Sequence, residues 1–157
     1  RLLLDRLVAS APARVVWTAS DSHEFGPLHT DDYMSTRGFK PLKAYGRSKL
    51  ANILTTAELA RRLQGTGVTA NCFHPGFVST SIGRDHPLGI AFLKLARPFI
   101  KSPKQGADTG VFLATEDVQE NGQYFYKRKV HPTKNDALDP ALGARVWDDC
   151  AALVGLS

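Results

Sequence analysis

Tyr45-Gly46-Arg47-Ser48-Lys49-Leu50-Ala51-Asn52 opens an amphipathic helix that the sequence pattern predicts to run to about Leu63. On a helical wheel, the side predicted to face the protein carries Tyr45, Lys49, Asn52, Ile53, Thr56, Leu59, Ala60 and Leu63. The opposite side carries Arg47, Glu58, Arg61 and Arg62. Lys49 therefore lies in the inward-facing stripe, where a charge is costly unless it has a partner.

Tyr45 lies one helical turn before Lys49, so the phenol and the ammonium are neighbours on one face. A free phenol has a pKa of about 10 and is a poor acid or base at neutral pH. A nearby ammonium favours the phenolate, which makes the phenol a better proton donor. The pair is therefore a candidate catalytic acid with its activating cation. The alternative is a pair without a chemical role, in which the tyrosine begins the helix and the lysine extends its charge into solvent, because such a pair has the same spacing.

Two short apolar runs flank this helix, Arg14–Ala19 before it and Val68–Phe73 after it. Both are typical of strands buried on both faces, and strand, helix, strand in this order predicts a parallel pair. Ser20 ends the first run and His74-Pro75-Gly76 ends the second, so they share the carboxyl edge at which open α/β sheets bind ligands. A turn residue for Ser20 and a turn or core histidine for His74 are the simpler alternatives.

The rest of the chain is predicted to alternate helices, loops and one further strand. In chain order these are a helix to about Ala9, a loop over residues 23–42, a flap over residues 82–102, a helix over residues 104–114, a strand over residues 122–126 and a last helix that begins at Pro140. The spacing Gly106-x-x-x-Gly110 predicts close packing of a helix on the sheet. The apolar face of the last helix is predicted to comprise Leu142, Val146, Cys150, Leu153 and Val154.

Length and composition exclude several classes of protein. With 157 residues the chain is long enough for one domain, and its net charge of +5 is dispersed, which argues against a nucleic-acid partner. No apolar run approaches the roughly 18 residues that span a bilayer. Cys72 and Cys150 have neither CxxC nor metal-ligand spacing, so we expect two reduced, buried thiols in a cytoplasmic protein.

Four motifs in this order resemble the short-chain dehydrogenase/reductase family, in particular its retinol-dehydrogenase-like branch. They are Arg14-Val15-Val16-x-x-x-Ser20-x-x-His23, Tyr45-x-x-x-Lys49-Leu50-Ala51-Asn52, His74-Pro75-Gly76-x-Val78-x-Thr80 and Gly122-Gln123-Tyr124-Phe125. The long interval between Ser20 and Tyr45 is similar to an insertion in that branch. The resemblance spans nearly the whole chain and implies an α/β fold, the C-terminal part of a Rossmann-type doubly wound parallel sheet.

The resemblance also implies a role for each matching residue. Ser20 would bind the substrate oxygen, Tyr45 would give or take the proton, and Lys49 would favour the phenolate and hold the nicotinamide ribose. The nicotinamide ring would be oriented by the backbone of Pro75, Gly76 and Val78 and by the Thr80 side chain. The expected cofactor is NADP or NAD, since the branch leans toward NADP. The expected substrate is a small, hydrophobic alcohol, aldehyde or ketone, covered by the flap over residues 82–102.

The family's glycine-rich dinucleotide loop, Gly-x-x-x-Gly-x-Gly, does not occur in this sequence, which begins within an apolar helical pattern. We therefore expect residues 1–157 to be the C-terminal catalytic part of one dehydrogenase domain, inactive without an N-terminal cofactor-binding half. The alternative is a truncated family member that serves as a non-catalytic interaction module, although a bare apolar strand edge would favour aggregation.

The helix over residues 45–64 is also a candidate homodimer interface. Leu50, Leu54 and Ala57 lie outside the inward-facing arc of that helix, beside its charged side. Cover by a neighbouring helix, or by a segment that is absent from this sequence, would explain the same apolar residues.

Overall fold

The computed structural model describes residues 2–78, 100–134 and 136–156. Its described strands form a four-stranded sheet in the order β1-β2-β3-β4. The strands are β1 Ala13–Thr18, β2 Val68–Phe73, β3 Tyr124–Tyr126 and β4 Lys129–Val130. The helices are α1 Leu4–Ala9, α2 Pro41–Arg62, α3 Pro103–Thr115 and α4 Pro140–Leu153. A 3-10 turn spans Asp21–Phe25. Strands β1, β2 and β3 are parallel, and β4 is antiparallel to β3.

Helices cover both faces of the sheet, as the alternation of side chains along β1 requires. Val15 and Trp17 pack on the side of α2 and α4. Val16 points to the other side, where it packs with Leu113 of α3 and Phe125 of β3. The predicted α/β class, with a parallel sheet between two helical layers, is therefore confirmed.

Close contacts between α3 and the sheet confirm the prediction from the two glycines. A Cβ atom at Gly106 would lie 2.4 Å from Val78 Cγ2, and one at Gly110 would lie 2.7 Å from the ring of Phe73. A side chain at Gly110 would push the helix away from β2, and one at Gly106 would push it away from Val78, beyond the end of β2. Among the described residues, no helix is both long and apolar enough to cross a membrane.

Helix α2 begins at Pro41, one turn before the predicted start at Tyr45. A proline is well suited to the first turn of a helix, because its fixed φ is helical and that position needs no N–H donor. Tyr45 consequently lies in the second turn, which fixes its backbone more firmly than a position at the helix end.

One side of α2 was predicted wrongly. Leu50 and Leu54 are 2% and 0% exposed, and Glu58, expected to face solvent, is 3% exposed. Leu50 and Leu54 share a core cluster with Val146 of α4, and Glu58 is ion-paired with Arg61 and Arg62. A neighbouring helix therefore covers Leu50 and Leu54, so these two residues no longer support a dimer through α2.

The connecting segments differ from the predictions in detail. The loop over residues 23–42 begins with the 3-10 turn and is held to α4 by Tyr33, whose hydroxyl donates to Asp149 Oδ2 at 2.7 Å. Strand β4 was not predicted, because only two residues take part in it. Leu153 and Val154, predicted on the apolar face of the last helix, are mostly exposed.

Candidate active site

The ends of β1 and β2 meet at one edge of the sheet, as predicted. Thr18 is in register with Phe73, and the Ala19 N–H donates to the Phe73 carbonyl oxygen at 2.8 Å. His74 directly follows β2, and Ser20 lies two residues after the end of β1. The Ser20 segment and the turn at Pro75 and Gly76 therefore lie on the same edge of the sheet.

Lys49 bends toward this edge instead of extending into solvent. Its Nζ atom lies 5.3 Å from the centroid of the Tyr45 ring and donates to the Thr18 carbonyl oxygen at 3.4 Å. Asn52 Nδ2 donates to the same oxygen at 3.2 Å. The ammonium thus lies beside the phenol and at the end of β1, and Tyr45 as a whole is 42% exposed.

Gly46 brings the Tyr45 turn of α2 against the Ser20 segment. A Cβ atom at Gly46 would lie 2.4 Å from the Ser22 carbonyl oxygen, so only glycine permits this approach. Ser20 is buried, its backbone is extended, and its Oγ accepts the Ser22 N–H at 3.1 Å. Ser20 therefore caps the 3-10 turn, as the simpler alternative proposed, and also lies close to the turn that carries Tyr45.

The turn after β2 contains a glycine in a conformation that other residues rarely adopt. Gly76 has a φ of +85°. Lys101, which the sequence analysis did not identify, donates from Nζ to the Pro75 carbonyl oxygen at 3.3 Å and lies 4.7 Å from the centroid of the Tyr126 ring. Val78 forms a bridge with Lys101. Thr80 and residues 82–99 of the predicted flap lie outside the described residues.

The sequence analysis missed a carboxylate that joins the segments after β1 and β2 to β3. Asp21 Oδ1 accepts the hydroxyl of Tyr124 at 2.6 Å, and Asp21 Oδ2 lies 3.1 Å from His74 Nε2. Burial lowers the pKa of His74 below its usual value, although the Asp21 charge opposes this shift. Burial, and then the Asp21 carboxylate, raise the pKa of Tyr124 well above its usual range. Tyr124 therefore remains a neutral donor.

His23 fixes the backbone of Ser20 from the opposite side. It is fully buried, its Nδ1 lies 2.8 Å from the Ser20 carbonyl oxygen, and its Nε2 accepts the Lys134 N–H at 3.4 Å. Only the neutral tautomer with hydrogen on Nδ1 satisfies both contacts. The single indication in the sequence was the position of His23, three residues after Ser20.

Both cysteines are free, in agreement with the expectation of reduced thiols. Cys72 is buried as expected, which raises its thiol pKa to about 12. The expectation of a buried thiol was wrong for Cys150, which is only half-buried. In the part of the chain that the structure describes, no group of three or more histidine, cysteine, aspartate or glutamate side chains could hold a metal ion.

Comparison with known proteins identifies retinol dehydrogenases as relatives. The chain is 39% identical over 161 residues to retinol dehydrogenase 14 of Homo sapiens and 42% identical over 157 residues to retinol dehydrogenase 12 of Mus musculus. Each alignment includes 99% of this chain, which spans only about half the length of these relatives, 48% and 50% respectively. No protein-family model matches the chain.

Solved structures include a similar fold. A crystal structure of an uncharacterized protein from Mycobacterium paratuberculosis superimposes with a TM-score of 0.67 and 27% sequence identity. The superposition covers 91% of this chain and 50% of that protein. The arrangement of sheet and helices described above is therefore shared with a longer chain.

Proposed function

Because this chain belongs to the short-chain dehydrogenase/reductase family, as a homologue of its retinol dehydrogenases, we propose that the protein transfers hydride between NADP or NAD and a hydrophobic alcohol or carbonyl compound. The observation that carries the proposal is the position of Lys49, beside the phenol of Tyr45 and at the end of β1. Burying part of a lysine at this place is costly unless its charge has a use.

The residues present fit the nicotinamide–ribose end of such a cofactor. An ammonium has three N–H donors, and the hydrogen bond of Lys49 Nζ among the described residues goes to Thr18, which leaves donors for ribose hydroxyls. The backbone of Pro75, Gly76 and Val78, with the Thr80 hydroxyl, would hold the ring. When bound, the cofactor supplies the carbon that gives or takes the hydride.

The side chains of this chain would handle the proton and the substrate oxygen. In the direction of carbonyl reduction, the Tyr45 hydroxyl donates its proton to the substrate oxygen, and the Lys49 charge stabilises the phenolate that remains. The Ser20 hydroxyl, which contacts Ser22 Oγ at 3.2 Å, turns to hydrogen-bond the same oxygen. In alcohol oxidation the proton moves from the substrate to the Tyr45 phenolate.

The substrate class follows from the relatives and from exposed apolar side chains near the site. The relatives are named for retinol, a largely apolar alcohol. In this chain Leu42 lies one turn before Tyr45 on α2 and is 59% exposed. A retinoid-like aldehyde is therefore the first substrate to test, followed by aliphatic aldehydes of similar length.

The test compares Tyr45→Phe with Tyr33→Phe in the protein at the length that its own cell produces. An intact mass comes first, because the 157 residues alone amount to 17.1 kDa. Oxidation of NADPH and NADH by the aldehyde is then followed by absorbance. We expect Tyr45→Phe to lose roughly 100-fold or more in kcat without unfolding, because it removes the proton donor.

Tyr33→Phe is the matched control, since it also removes one phenolic hydroxyl but only breaks the contact with Asp149. It should lower thermal stability and leave kcat unchanged. Unchanged turnover in Tyr45→Phe would refute the role given to this tyrosine. If the unsubstituted protein turned over no aldehyde with either cofactor, a non-catalytic interaction module would become the better explanation.

A further inference from the structure

The carboxylate of Asp21 connects β3 to the segments that follow β1 and β2. Asp21 follows β1, His74 follows β2, and Tyr124 lies in β3. The Tyr124 hydroxyl donates to Oδ1 at 2.6 Å, His74 Nε2 lies 3.1 Å from Oδ2, and His131 Nε2 lies 3.9 Å from Oδ1. Hydrogen bonds to a charged acceptor are stronger and more directional than those between neutral groups.

These contacts specify the tautomer of His74. To donate to the carboxylate, its ring must carry hydrogen on Nε2. Its other nitrogen, Nδ1, is buried and has no hydrogen-bond partner among the described residues. A buried nitrogen without a partner is unfavourable, and the contact with Asp21 offsets that cost at the other end of the ring.

Two members of this network, Asp21 and His74, lie next to residues of the proposed site in the chain. Asp21 is adjacent to Ser20, and His74 is adjacent to Pro75 and Gly76. The ring of Tyr124 packs edge-on against His23 with centroids 5.4 Å apart, and His23 in turn contacts the Ser20 carbonyl oxygen. The network therefore joins the segment that would bind the substrate oxygen to the turn that would hold the nicotinamide.

We infer that Asp21 is a positioning residue, whose carboxylate fixes the Ser20 segment relative to the turn at Pro75 and Gly76. The inference rests on the proposed function, because it assigns to Asp21 the alignment of two segments that this function uses. Asp21 itself need not touch the substrate or the cofactor. Its effect passes through His74 on one side and through the backbone of Ser20 on the other.

The first experiment measures amide hydrogen exchange in Asp21→Asn, with Asp117→Asn, an exposed carboxylate on the loop after α3, as the matched control. The Ser22 N–H donates to Ser20 Oγ at 3.1 Å, and the Lys101 N–H donates to the Phe77 carbonyl oxygen at 2.7 Å, so these amides report on the two segments. In Asp21→Asn we expect both amides to exchange about tenfold faster or more. We also expect the nitrogen NMR signals of His74 to show hydrogen on Nδ1, because the carboxylate that accepts from Nε2 has been removed. Asp117→Asn should change neither.

The second experiment measures steady-state kinetics of the same variants at the protein's natural length. We expect Asp21→Asn to lower kcat about tenfold or more and to raise KM for the cofactor, because the two segments lose their alignment. Asp117→Asn should keep both constants. A general loss of stability would instead lower the active fraction and leave KM unchanged.

The outcomes separate this inference from the proposed function. Unchanged exchange at Ser22 or Lys101 overturns the inference whatever the turnover. Faster exchange with unchanged kcat and KM overturns it too, since the coupling would then serve no catalytic alignment. If the unsubstituted protein shows no turnover, the proposed function fails and the inferred role for Asp21 fails with it. If Asp21→Asn does not fold, Tyr124→Phe, which removes one hydrogen bond to Oδ1 and keeps the ring, must show the same changes to a smaller extent.

Discussion

The charge of Lys49 interacts with both the proposed proton donor and the end of a strand. Its Nζ lies 5.3 Å from the Tyr45 ring centroid and 3.4 Å from the Thr18 carbonyl oxygen. A cation over an aromatic ring contributes about 0.5–1 kcal/mol at a partly exposed site. Asn52 donates to the same Thr18 oxygen, so two side chains of α2 contact the end of β1.

Replacing Lys49 should impair both cofactor binding and chemistry. Lys49→Met keeps most of the apolar stem and removes the charge that would hold the ribose and stabilise the phenolate. We expect KM for the cofactor to rise and kcat to fall, each by roughly tenfold or more. Steady-state kinetics with varied cofactor concentration measure both effects.

Lys43→Met is the matched control, because Lys43 is an exposed lysine on the same helix, before Tyr45 and Lys49 in the chain. It should leave kcat and KM within experimental error of the unsubstituted protein. Equal kinetics for Lys49→Met and Lys43→Met would mean that Lys49 is a surface lysine after all.

Sequence spacing predicts partners within one element and cannot reveal those that the fold brings from far along the chain. Tyr45 and Lys49 are one helical turn apart, so their proximity could be predicted. Asp21 and Tyr124 are separated by 103 positions, and no local pattern indicates that they meet. Lys101 was missed for the same reason, since its partner Pro75 is 26 positions away.

At the scale of elements, the position of α2 depends on its contacts with the 3-10 turn and with α4. Gly46 allows the backbone of α2 to approach Ser22, and Leu54 packs in the α4 contact. A helical wheel gives the direction of one apolar stripe, but a second helix on the same layer buries a second side. This is why the wheel placed Glu58 in solvent and the structure buries it.

Substituting Gly46 should separate α2 from the Ser20 segment. A Cβ atom in Gly46→Ala would lie 2.4 Å from the Ser22 carbonyl oxygen, which is backbone and cannot turn away. We expect a loss of about 1–3 kcal/mol of unfolding free energy, despite the better helix propensity of alanine. Turnover should fall as well, because Tyr45 moves relative to Ser20. Urea denaturation and the absorbance assay measure the two effects.

Ser48→Ala provides the comparison, because Ser48 is exposed on the same helix and its replacement also improves helix propensity. Its stability should remain within about 0.5 kcal/mol of the original. If Gly46→Ala were as stable and as active as Ser48→Ala, the close approach of α2 to Ser22 would be unimportant.

At the scale of the whole molecule, the parallel core could be predicted better than its periphery. The bounds of β2, Val68–Phe73, and the parallel pairing with β1 follow from a short apolar run and from a connecting helix that must cross over. Leu153 and Val154 fit the apolar pattern at the end of the last helix, yet both are mostly exposed. Local sequence patterns identify helices and strands, whereas the burial of each side chain depends on how these elements pack against one another.

Two groups, Asp32 and His74, should each lower the stability of the protein as the pH falls, in separate pH ranges. The amides of Thr36 and Arg37 donate to the Asp32 carboxylate and lower its pKa from 3.8 to about 2. Its contribution is complete above the unfolded value and is lost as the pH falls toward 2. Burial lowers the pKa of His74 below 6.5, so the unfolded chain takes up a proton that the folded chain resists. As the pH falls, the loss of stability caused by His74 therefore begins at a higher pH than the loss caused by Asp32.

We expect the free energy of unfolding to decrease as the pH falls from about 7 to about 5. Because one proton is taken up, the slope should be at most about 1.4 kcal/mol per pH unit. His74→Gln removes the titrating ring and should flatten this slope, even if its stability at neutral pH is lower. His29→Gln, at an exposed position, should retain the slope of the unsubstituted protein. Urea denaturation at a series of pH values gives the three slopes. A slope that persists in His74→Gln would assign the proton uptake to another group and would contradict the effect of burial on this histidine.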